Sequence, residues 1–93
     1  MSDLVIDWSQ EKNEGLKADR GLRFEDAEVL ILAEEILADL PHPNQDKYPG
    51  QRMLYLLIDD YVCVVPYVHE DNTLFLKTMF RSRKATKYFL NKD

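Results

Sequence analysis

Cysteine is almost absent. Cys63 is the only one in 93 residues, so no internal disulfide can form, and one thiol with two isolated histidines, His42 and His69, cannot build a zinc site. Because Cys63 sits inside the apolar run Tyr61 to Val68, it reads as a core thiol rather than a nucleophile. No metal and no cofactor is expected. Long apolar runs are lacking too: nothing approaches the roughly 20 residues that span a bilayer. Met1-Ser2-Asp3-Leu4 has no basic stretch leading into a hydrophobic one, so the expectation is a cytoplasmic protein with no membrane segment. Internal repeats and low-complexity segments are also missing. Residues 1–93 make one domain, with a modest single core, since a chain of this length buries only about two thirds of its unfolded surface.

What is present is a separation of charge. Residues 73–93 hold six basic residues and one acidic, a net +5, while residues 1–72 hold six basic and sixteen acidic, a net −10. The basic part starts with an apolar run, Leu74 to Phe80, that reads as a strand and opens into Arg81-Ser82-Arg83-Lys84-Ala85-Thr86-Lys87-Tyr88-Phe89-Leu90, which reads as a short helix. Ser82 is the expected N-cap, and Ala85, Tyr88 and Phe89 share a face. Cations in the first turn of a helix oppose its macrodipole by about 0.3–1 kcal/mol each, so Arg83 and Lys84 are placed against local stability and a docked anion would relieve them. Arginine forks suit phosphate, and Arg81 and Arg83 flank the strand-to-helix corner. A charge run at a terminus is ordinarily a solvated face. Here the apolar residues interleaved at helical spacing argue for a docked element.

The remainder reads as an α+β chain. Leu4 to Trp8 is a short strand; Ser9 caps a polar surface helix, Gln10 to Arg20, stopped by Gly21. A second helix is expected from Phe24 to Leu37, and Val29 to Ala33, apolar on every side, predicts burial on two faces or contact with a second chain, as in a homodimer. The proline-rich segment Asp39 to Gln51 reads as a long loop. Arg52 to Ile58 and Tyr61 to Val68 form a hairpin around Asp59-Asp60, with Pro66 marking a strand end or an edge, and His69 to Asn72 is a turn. Strand, two helices, three antiparallel strands and a last helix give an α+β domain with the helices on one face of the sheet.

Ile6-Asp7-Trp8 before a helix with Lys12, then Gly21-Leu22-Arg23-Phe24-Glu25-Asp26-Ala27, then Arg52 opening a hairpin, then Arg81-Ser82-Arg83-Lys84-Ala85-Thr86 before an aromatic helix, resembles the BrnT family of type II toxins over nearly the whole chain. The resemblance implies a RelE-like or ParE-like fold and a metal-independent endoribonuclease that arrests growth by cutting RNA. It also implies neutralisation by a BrnA-like antitoxin, and the assembly is left open between a homodimer and a heterotetramer with that antitoxin. Where family members commonly carry a histidine this chain has Arg20, so either Arg20 acts only through its charge or activity is reduced.

In such an enzyme the ribose 2′-hydroxyl attacks the adjacent phosphorus, and fixed cations should stabilise the developing charge. The expected catalytic residues are Arg81, Arg83, Lys84 and Arg52, with Lys77, Arg20 and Tyr88 binding substrate. Candidates for a general base are His42 and His69, with Tyr48, Tyr88 and Glu70 as alternatives, and the sequence does not choose among them. A competing expectation is a non-catalytic protein-interaction module of the same fold.

Overall fold

The computed structural model describes residues 4–91. Their order is β1 (Val5–Trp8), α1 (Gln10–Arg20), α2 (Phe24–Leu32), β2 (Ala38–Pro41), β3 (Arg52–Ile58), β4 (Tyr61–Glu70), β5 (Thr73–Leu76), β6 (Phe80–Arg81) and α3 (Arg83–Leu90). The class is α+β, with a mixed six-stranded sheet ordered β1-β5-β4-β3-β2, and β6 continuing the β5 edge by pairing with β4 at Cys63 and Val64.

Local chemistry accounts for most of these elements. Ser9 accepts a hydrogen bond from the amide of Lys12 at the start of α1, and Gly21, at φ +66°, ends it in the left-handed region that glycine enters without a Cβ penalty. The chain then turns back, with the Leu22 amide bonded to the Leu16 carbonyl, and both side chains enter the core. Helix α2 has no side-chain cap of its own. Instead Asn13, fully buried on α1, accepts the Phe24 amide at 2.9 Å and donates to both carboxylate oxygens of Glu25. One amide side chain thus supplies the missing cap and locks α1 to α2. The hairpin turn Asp59-Asp60 has positive φ at both positions, 53° and 65°, the backbone that matches the twist of two-residue hairpins.

Strand β4 is the centre of the molecule. Its register pairs Leu54 with Val65 and Leu56 with Cys63, and these side chains join Leu16, Phe24, Ala27, Ile31, Leu76 and Met79 in the core on the α1/α2 face. Alternate residues face the other way: Tyr55 packs on Phe89 of α3, and the Val62 amide donates to Thr86 Oγ1 of α3. The sheet is therefore covered on both faces.

Several expectations need correction. The N-terminal strand does not lie on a face of an antiparallel sheet; β1 is an edge strand within it, parallel to β5, because its connection to the rest of the sheet runs through two helices. Helices occupy both faces, since the one-residue alternation of β4 leaves Val62 and Val64 exposed unless α3 covers them. Helix α2 stops at Leu32, where the Ala33 and Glu34 amides close the last turn and Glu34 takes φ +59°. Part of the proline-rich loop is strand β2, held by β3. The stretch Leu74 to Phe80 divides into β5 and β6 around Lys77–Met79, because Met79 drops into the core. His69 and Glu70 belong to β4, and only Asp71 and Asn72 turn. Pro66 lies inside the central strand: its carbonyl accepts the Lys77 amide, so its missing donor points into the gap between β5 and β6, where no ladder partner exists. The surface helix α1 also buries more than its composition suggests, through Leu16 and Asn13.

Candidate functional site

Two arginines far apart in sequence meet where α1 ends. Arg20 Nη1 donates to the carbonyl of Met79 at 2.8 Å, and Arg81 Nη1 donates to the carbonyl of Arg20 at 2.7 Å. The second bond places a cation on the negative end of α1, where helix dipole and charge attract. The first fixes the chain between β5 and β6. A guanidinium carries five donors, and these contacts leave most of each fork without a hydrogen-bond partner among the described residues. Beside them a shallow crevice of about 260 Å³ runs along α1, lined by Ser9, Lys12, Gly15, Asp19 and Arg20.

The remaining candidates are spread over the molecule. Arg83 is exposed on the first turn of α3, and Lys84 and Tyr88, one helical turn apart, line a groove on the opposite face of the sheet from Arg81. Lys77 lies between β5 and β6 with its ammonium 5.5 Å from the Phe75 ring. Arg52 stands apart: its Nε donates to Asp39 Oδ1 at 3.0 Å and its Nη2 to the Asp39 carbonyl, while the Tyr67 hydroxyl donates to both Asp39 oxygens. That cluster ties β2 to the sheet. Along β4 the Arg52 register falls at Tyr67 and that of Arg81 at Cys63, four residues or about 13 Å of strand away. Burial and the Asp39 carboxylate push the Tyr67 phenol up to about 12, so it stays protonated, and its neighbours hold Arg52 more firmly charged than usual.

Among the described residues neither histidine bonds to the arginine pair, and the side chains with basic oxygens nearest it are the carboxylates of Glu11 and Asp19 in the crevice along α1. His42 Nδ1 accepts the amide of Asn44, and its ring stacks 4.4 Å from Tyr48 inside a loop closed by Gln45. His69 is exposed, six residues along β4 from the Arg81 register, about 20 Å of strand. Cys63 is fully buried, and burial raises its thiol pKa, which disfavours a nucleophilic role. Among the described residues no group of three His, Cys, Asp or Glu is placed to hold a metal ion, and no helix is long and apolar enough to cross a membrane.

Electrostatically, the C-terminal segment differs from the rest. Ion pairs among the described residues join Lys17 to Glu14 and Glu25, Arg23 to Asp26, and Arg52 to Asp39. All lie before residue 73. Lys77, Arg81, Arg83, Lys84 and Lys87 have no carboxylate within ion-pair distance among these residues, so these five charges are left uncompensated at the surface. Sequence reasoning missed the arginine crossing, and the one available signal was the helix stop at Gly21, which sets Arg20 at the negative end of α1. Compared with protein-family models, with curated proteins and with solved structures, the chain matches none.

Proposed function

We propose that this chain is the toxin of a BrnT-like type II toxin–antitoxin pair, with a RelE-like arrangement of the sheet. In this reading it is a cytoplasmic, metal-independent endoribonuclease that arrests growth by cutting RNA and is neutralised by a BrnA-like antitoxin. The observation that carries the reading is the pair of arginines crossed at the end of α1, with Arg83 exposed on the first turn of the helix that follows Arg81. The phosphodiester sits against the free edges of the Arg20 and Arg81 forks. The ribose 2′-hydroxyl gives its proton to water and attacks phosphorus in line; as that P–O bond forms, the bond to the 5′-oxygen breaks and that oxygen takes a proton from water, leaving a 2′,3′-cyclic phosphate and a 5′-hydroxyl. Fixed cations stabilise the charge that builds on the phosphoryl oxygens. Arg83 and Lys84 add to the field that draws RNA, and Arg52, committed to Asp39, holds the sheet edge.

Purified chain incubated with mixed RNA in the presence of a chelator tests this. The expected result is fragments ending in cyclic phosphate and 5′-hydroxyl; intact RNA at equimolar enzyme would refute it. The second reading, a non-catalytic interaction module, is favoured by one feature, the apolar groove under α3, and predicts tight partner binding with no cleavage at any enzyme excess.

A further inference from the structure

Gly15 stands in the middle of helix α1, a position where alanine or leucine is more favourable, and its backbone is not in the left-handed region. Packing does not require a glycine there either, since a Cβ would meet no atom within 4 Å. What the missing side chain does is open the floor of the crevice of about 260 Å³ along α1. Glu11, Gly15 and Asp19 fall four residues apart on one stripe of the helix, so the glycine lies bare between two carboxylates. Lys12 and Arg20 line the same crevice. Acids and cations stand side by side there, yet among the described residues Glu11, Lys12, Asp19 and Arg20 take part in no ion pair. Their donors and acceptors are open to a ligand that carries both.

We propose that this crevice is a nucleoside subsite that selects guanine, holding the base against Gly15 with the 3′-phosphate of the same nucleotide on the Arg20 and Arg81 forks. At about 1.5 Å of rise per residue, Gly15 lies roughly 7.5 Å and Glu11 roughly 13.5 Å before Arg20 along the helix. Once the Glu11 and Arg20 side chains reach inward, that span is the length of one nucleotide. The bare backbone at Gly15 lets a flat ring lie close to the helix, where a side chain would hold it off.

Guanine is the base that matches both walls. Its pairing edge runs acceptor, donor, donor, from O6 through N1–H to the N2 amino group. Lys12 donates to O6, and the carboxylate of the adjacent Glu11 accepts from N1–H and N2–H together. Adenine and cytosine each offer one amino group beside an acceptor, and uracil one N–H between two acceptors. Each of these leaves a carboxylate oxygen facing a lone pair.

The inference deepens the toxin reading by naming the nucleoside on the 5′ side of the cut. It rests on that reading only for cleavage, because selection of guanine is read from binding alone.

The test titrates guanosine, adenosine, cytidine and uridine 3′-monophosphates against the full chain by calorimetry, with inosine 3′-monophosphate as a guanine lacking the N2 amino group. The guanosine nucleotide is expected to bind at least tenfold more tightly than each of the others. Glu11→Gln should weaken guanosine binding at least tenfold. Gly15→Leu should do the same while thermal melting shows a fold no less stable, since leucine favours helix where glycine does not, which separates blockage from unfolding. Equal or undetectable binding of the five nucleotides overturns the proposal, and so does a guanosine preference that survives either variant. Cleavage of mixed RNA by the unaltered chain is scored separately. Guanosine selection without cleavage keeps the subsite and removes the toxin reading; cleavage with no selection among the nucleotides keeps the toxin reading and removes the subsite.

Discussion

Asn13 joins helices α1 and α2 through a single amide group. It caps α2, anchors Glu25 and fills a fully buried position, and its hydrogen bonds hold the Glu25 carboxyl below the usual carboxylate range. Asn13→Leu removes the partner of the buried Phe24 amide and should cost about 1–3 kcal/mol, read as a lower urea midpoint at unchanged slope. Because Glu25 is bound in its charged form, the associated stability is present above the ordinary carboxylate pKa and is lost as pH falls through the lowered one. Tyr67 gives the opposite dependence. Its phenol titrates near 10 in the unfolded chain and at about 12 when folded, so the folded state holds the proton longer and stability falls as pH rises from 10 toward 12. In Tyr67→Phe, urea unfolding between pH 9 and 11.5 should lose that part of the decline; an unchanged slope would remove Tyr67 as its source.

Among the elements, the hairpin β3–β4 offers the clearest manipulation. Both turn residues are aspartates held at positive φ, so Asp59→Asn with Asp60→Gly installs the pair most compatible with that backbone and should stabilise by about 0.5–1 kcal/mol, a rise of several degrees in Tm. The same turn shows what could be read from sequence alone. Helices α1 and α3, the hairpin and both serine caps are local features, written in side chains that bond within three residues of themselves, and they stand where the residues put them. Strand β2 could not be read in that way, because Asp39 to Pro41 is extended only through pairing with β3 and the tie from Asp39 to Arg52 and Tyr67. The end of α2 was equally hidden: Val29 to Ala33 reads as helix all round, and the fold leaves Val29 and Leu32 exposed while burying Ile31. At the site, the cationic segment was legible as composition. Its geometry was not, since the Arg20–Arg81 contact spans 61 residues, and Arg52, grouped with these arginines by charge, is consumed by Asp39.

At the scale of the whole molecule, an acidic body carries a cationic segment whose charges find no partners within ion-pair distance among the described residues, and whose two faces differ. One presents the crossed arginines at the end of α1, and the other an apolar groove under α3. Affinity for RNA that rests on a few cations should fall steeply with salt, with a slope near −0.7 per phosphate contacted, and Arg83→Ala should reduce that slope by about one contact while leaving the fold intact. The proposed cleavage depends most on the arginine corner. Its direct test is the single-turnover rate of RNA cleavage by the chain and by an Arg20→Gln, Arg81→Gln variant whose circular dichroism spectrum is unchanged. Loss of the two fixed charges should slow cleavage by about a hundredfold or more; a folded double variant that cuts RNA at the original rate would contradict it.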